Sequence, residues 1–157
     1  MKKVKRTLSK SEALKKLQHY CAYQERCHKE VRNKLLDLGV YGMDLEEVIT
    51  ELIADNYLNE ERFACVYAGG KFRVKRWGRL RILRELKRRG ISDYCIKKAM
   101  QEIPEVDYRK TIAMLLEKKE KELGEYPAFE RKHRLSSYLI SKGYEAALVW
   151  EMISGKN

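Results

Sequence analysis

Four side chains able to ligate a metal fall within one short stretch: His19, Cys21, Cys27 and His28. A structural zinc site usually takes cysteines two to four residues apart and a second pair to answer them. Here the two cysteines are further apart and no second pair follows. Cys21 also shares a helical face with Leu14 and Leu17, which explains it as a buried thiol. Asp44, Glu47, Glu51 and Asp55, at spacings of three, four and four, form a second candidate. That rhythm puts all four on one side of a helix. A solvated face is the plain reading, a docking strip for a basic partner the next, and a divalent metal or nuclease centre the least favoured. Gly69-Gly70 lacks the ending of a phosphate-cradling loop, and no serine sits in a nucleophile elbow. The expectation is therefore no catalytic residue, no metal, no cofactor and no enzyme.

Cations make the stronger signal. Lys71, Arg73, Lys75, Arg76, Arg79, Arg81, Arg84, Lys87, Arg88 and Arg89 lie close together in sequence, opposed only by Glu85. If Ile82, Leu83 and Leu86 face inward, then Arg81, Arg84, Lys87 and Arg88 project outward. Like charges at that spacing repel unless an anion meets them. Arg73, Arg76, Trp77, Arg79, Arg81, Arg84, Lys87 and Arg88 are the candidate binding residues. Trp77 has two readings, a hydrophobic staple at the start of the helix or a stacking surface for a base. The whole chain agrees in sign: 34 Lys+Arg against 23 Asp+Glu leave +11, with a pI near 9.5. A polyanion is the first expected partner, nucleic acid or a protein coated with it, and a membrane surface the second.

The elements that would hold these residues repeat. Val31-x3-Leu35-x3-Gly39-Val40, Ile82-x3-Leu86-x3-Gly90-Ile91 and Leu135-x3-Leu139-x3-Gly143-Tyr144 share one pattern, with glycines 51 and 53 residues apart. Six, nine and ten residues beyond the glycines come apolar sets: Leu45, Ile96 and Val149; Val48, Ala99 and Met152; Ile49, Met100 and Ile153. A period of that length signals stacked copies of a small helical unit and a long binding surface, not a pocket. The expected fold is all-α: three tandem three-helix repeats in an elongated, curved row. Boundaries fall at 1–7 for a basic tail able to add a nonspecific DNA contact, then 8–55, 56–105 and 106–157.

Helix signals sharpen that frame. Ser9 or Ser11 caps the first helix, Asp44 the third, Asn59 the fourth, and Ser92 or Asp93 the sixth. The three pattern glycines stop the second helix of each unit, and Pro104 closes the second unit. No strand alternation survives, no apolar run approaches bilayer length, and no secretory signal follows the basic start. A cytoplasmic monomer with free thiols at Cys21, Cys27, Cys65 and Cys95 is expected.

The stretch from Asp55 to Ala64 (DNYLNEERFA), with WGRLRI from Trp77 to Ile82 and ELKRRGI from Glu85 to Ile91, resembles the RecX family. The first and third repeats resemble it as patterns only. Glu60 departs from it, since many relatives carry aspartate there, a swap that keeps the first-turn charge. The resemblance implies a modulator of the bacterial RecA recombinase, active in homologous recombination, DNA repair and the SOS response. Such a protein docks in the groove of a RecA filament on single-stranded DNA and restrains recombinase and ATPase activity. Double-stranded DNA is a further candidate partner. The reading without the resemblance is a general DNA-binding helical module with no recombinase partner. Within the motif, Tyr57, Leu58 and Phe63 are expected as core between repeats.

Overall fold

The structure, a computed structural model, describes residues 8–155; the basic segment 1–7 lies outside them. Among the described residues nine helices and no strand are present. They are α1 (Lys10–Tyr23), α2 (His28–Asp37), α3 (Gly42–Ala54), α4 (Glu60–Arg73), α5 (Arg79–Arg88), α6 (Asp93–Met100), α7 (Glu105–Leu123), α8 (Ala128–Ser141) and α9 (Ala146–Ser154). Close helix packing stays within α1–α3, α4–α6 and α7–α9.

Local chemistry sets most boundaries. Ser9, Asn59 and Ser92 are N-caps whose side chains accept from the backbone N–H of Glu12, Arg62 and Cys95. Each hydroxyl or amide oxygen satisfies a donor that the first turn leaves without a partner. Gly39, Gly90 and Gly143 follow the second helix of each triplet at φ of 80°, 73° and 100°, in the left-handed region that ends a helix. The third helix departs from expectation. It starts at Gly42 with Tyr41 as N-cap, and Asp44 lies inside the first turn, stabilising the helix dipole without capping it. Pro104 is likewise the N-cap of α7, opening the next helix.

The inward positions follow the sequence periodicity closely. Leu45, Val48, Ile49, Leu52, Ile82, Leu86, Ile96, Ala99, Val149 and Ile153 are buried. Leu14, Leu83, Met100 and Met152 only lean against the core from its margin, and Tyr57 is exposed rather than buried between repeats. Two cores result, not three. One is confined to α1–α3 and Leu58; the other runs continuously from Phe63 through Ile153 and takes in Cys27 from the α1–α2 turn. Fusion of the second and third triplets gives both the larger buried volume that units of this size lack alone.

Candidate nucleic-acid interface

The basic helix α5 is held at its start by the third triplet. Gly78 N–H donates to the Lys142 carbonyl at 2.8 Å and Leu80 N–H to the Gly143 carbonyl at 2.9 Å. Tyr144 donates its hydroxyl to the Arg76 carbonyl at 2.8 Å, fixing a turn in which Arg76 has a positive φ of 57°. The direction in which α5 presents its cations is therefore set by the α8–α9 turn.

The candidate cations divide into three kinds. Arg84, Lys87 and Arg88 are exposed on α5, and Arg73 is exposed at the end of α4. Among the described residues Arg88 alone of these has a carboxylate within 4.0 Å, Glu85 at a loose 3.7 Å. Arg76, Trp77 and Arg81 are half-buried around the α4–α5 turn. The Arg81 guanidinium stands 4.1 Å from the Trp77 ring centroid and Lys71 approaches that ring at 4.9 Å. Trp77 packs against the larger core and meets Tyr67 edge-on at 6.5 Å, so it anchors the turn while its ring carries two cations.

Arg79 is held differently from the other cations. Its guanidinium binds Glu105 and, at 3.0 Å, Glu145, and it lies 3.8 Å from the Tyr108 ring centroid. Its backbone N–H donates to the Tyr108 hydroxyl, which in turn donates to Glu145. Burial disfavours the charge on Arg79, and the hydrogen bonds it donates to the Glu105 and Glu145 carboxylates more than offset that, leaving its pKa raised. Burial, followed by the bond to Glu145, pushes the Tyr108 hydroxyl far up. Through these bonds Arg79 is a joint between the second and third triplets.

The structure adds cations that periodicity on α5 could not reveal. Lys142, beside the α8–α9 turn, has its pKa lowered first by burial and then by Arg81, Arg76 and Lys118. Four like charges thus converge from α5, the α4–α5 turn, α7 and α8. Their sequence separations hid the cluster; the signal was tertiary.

Burial pushes Cys21 up to about 11 and raises Cys27 as well, so both are neutral thiols. His19 is exposed and His28 half-buried, while Cys27 serves as N-cap of α2. On α3, Glu47 binds Lys10 of α1, and Asp44 and Glu51 lie close enough to add to the Lys10 shift. Asp55 is the C-cap of α3. Among the described residues no three His, Cys, Asp or Glu side chains come together as a metal site would need. No helix among them is long and apolar enough to cross a membrane.

Comparison with known proteins places this geometry. A family model described as RecX, second three-helix domain, matches residues 59–100. A regulatory protein RecX of Bacillus cereus (strain B4264) is 30% identical over 130 residues, covering 83% of this chain and 48% of the relative. The regulatory protein RecX of Bacillus thuringiensis (strain Al Hakam) matches at the same identity over the same shares. The crystal structure of RecX from Lactobacillus salivarius superposes with a TM-score of 0.85 at 22% identity, over 93% of this chain and 95% of that one. A crystal structure of a regulatory protein RecX gives 0.83 at 20% identity, over 94% of this chain and 72% of that one. The chain belongs to the RecX family. It spans about half the length of the curated RecX relatives it matches. The matched RecX domain runs from the N-cap of α4 to the end of α6, so the densest cations lie inside it.

Proposed function

We propose that this chain is a regulator that binds the RecA recombinase filament on single-stranded DNA and lowers its recombinase and ATPase activity. The observation that carries the reading is the group Arg73, Arg84, Lys87 and Arg88. These cations are exposed on two adjoining helices, and among the described residues the one carboxylate within 4.0 Å of them, Glu85, touches Arg88 loosely. Uncompensated arginines suit the phosphates and carboxylates of a nucleoprotein groove, which they grip in a bidentate way. Membership of a family of regulatory proteins supports the rest.

Mechanically, the basic face spans neighbouring parts of the filament and resists the subunit motion that accompanies ATP turnover. A rigid support suits that task, and α5 is welded to the α8–α9 turn through Gly78 and Gly143. Arg73, Arg84, Lys87 and Arg88 make the contacts, while Arg76, Trp77 and Arg81 shape the turn beside them. The protein acts as a monomer in the cytoplasm.

The test is single-stranded-DNA-dependent ATPase of the host's RecA, titrated with this protein, with bare-DNA binding measured alongside. Inhibition at a small fraction of the RecA concentration supports the filament reading. Tight DNA binding without inhibition overturns it and leaves a general DNA-binding module.

A further inference from the structure

Each helix triplet carries the same small device in the groove between its first and second helices. A half-buried tyrosine ring lies there near two cations, one tied to a carboxylate and one not. In α1–α2, Arg26 stands 3.7 Å from the Tyr20 ring centroid and pairs with Glu30 at 3.6 Å, while Lys34 approaches the ring at 5.6 Å. In α4–α5, Arg89 stands 4.8 Å from Tyr67 and pairs with Glu85 at 3.0 Å, while Lys71 approaches at 5.5 Å. In α7–α8, Lys119 stands 4.8 Å from Tyr138 and pairs with Glu122 at 3.3 Å, while Lys142 approaches at 5.7 Å. Among the described residues no carboxylate lies within 4.0 Å of Lys34, Lys71 or Lys142.

The recurrence is one of chemistry, not of copied positions. Tyr20 and Tyr67 come from the first helix of their triplets, Tyr138 from the second. The unpaired lysine comes from the second helix, the first, and the residue just past the second. Duplication of a unit alone would have kept the register.

The paired cation is explained by the fold: it is neutralised locally and covers the ring. The lysine is not. At a half-exposed ring a cation contact is only weakly stabilising. Ordering a long side chain costs an amount of the same size. The fold gains little from holding an uncompensated ammonium there, and for Lys142 burial and three neighbouring cations oppose its charge. An anion supplied from outside resolves the mismatch.

We propose that Lys34, Lys71 and Lys142 are phosphate-gripping points of a single-stranded nucleic-acid track running along all three triplets. Cations contributed by three separate triplets suit a flexible polyanion whose phosphates can reach each in turn, and this favours the single strand over a stiff duplex as occupant. The assignment rests on the nucleic-acid part of the function proposed above and extends it from α5 to both ends of the chain. Three of these residues' neighbours, Trp77 beside Lys71 and Arg76 and Arg81 beside Lys142, join the track to the turn before α5.

The experiment is binding of a labelled oligothymidylate of about twenty nucleotides over a salt series, long enough for several sites of this kind. Lys34→Gln, Lys71→Gln and Lys142→Gln are measured singly and together, with Arg84→Gln/Arg88→Gln as the reference variant and circular dichroism as the check on folding. Each phosphate contact contributes about 0.7 to the slope of log affinity against log salt, so the triple variant should lose about 2 and each single variant about 0.7. A triple variant that keeps the wild-type slope while Arg84→Gln/Arg88→Gln lowers it overturns the track and leaves the α5 interface intact. Absence of any binding by the wild-type protein at low salt also overturns the track. The RecA ATPase titration then decides the filament reading independently.

Discussion

Gly78 and Gly143 touch backbone to backbone: a Cβ on Gly78 would lie 2.2 Å from the carbonyl carbon of Gly143. From the other side, a Cβ on Gly143 would lie 2.4 Å from the Cβ of Arg81. The start of the basic helix is thus seated on the third triplet with no room for a side chain at either glycine.

Gly143→Ala meets both obstacles, a positive φ of 100° and the Arg81 collision. It should cost roughly 2–4 kcal/mol by strain and overpacking, read as a shifted urea midpoint. Gly90→Ala shares the positive φ but meets open space, so its loss should be smaller, about 1 kcal/mol. Equal losses for the two would mean that the contact with α5 contributes nothing.

Arg84→Glu, Lys87→Glu and Arg88→Glu combined should leave helicity and melting close to wild type, because all three are exposed. Inhibition of RecA ATPase should fall at least about tenfold, since each reversal replaces an attraction by a repulsion. Full inhibition by that folded variant would move the interface off α5.

Arg79→Ala should behave oppositely. It strips Glu145 of an ion pair and leaves the Tyr108 network short of its cation. With these groups partly exposed the expected loss is roughly 1–3 kcal/mol in stability. Residual activity per folded molecule, measured below the melting range, should be unchanged. A selective loss of inhibition in a fully stable variant would place Arg79 in the interface.

Alkaline stability follows from Cys21, whose thiol is raised by burial from 9.0 to about 11. The fold favours the neutral thiol, so this contribution is complete below pH 9.0 and is lost as pH rises toward about 11. The size is on the order of 2 kcal/mol. Cys21→Ala should flatten the stability profile across that interval, and an unchanged profile would show that Cys21 does not control it.

How much of this was legible beforehand differs between elements and contacts. The three glycine-ended patterns, the caps at Ser9, Asn59 and Ser92, and the apolar sets after each glycine all act within a few residues, through side-chain periodicity and first-turn hydrogen bonding. Net charge, and the concentration of cations between Lys71 and Arg89, needed no structure at all. One expectation failed at the same local level: Asp44 gave way to Tyr41 as cap, because a residue suited to one terminal position also suits its neighbours.

What the sequence alone determined, then, is the helical content, the internal repetition, the inward faces and the sign of the chain's own charge. Only the tertiary structure decided which cations remain free. Arg79 and Arg84 belong to the same basic run, yet Arg79 meets Glu105 and Glu145, 26 and 66 residues away, while Arg84 meets solvent. It also decided that the second and third triplets share one core and that Lys142 joins Arg76, Arg81 and Lys118. Coulomb interactions depend on distance in space, and the packing of α7–α9 against the α4–α5 turn brings those charges together.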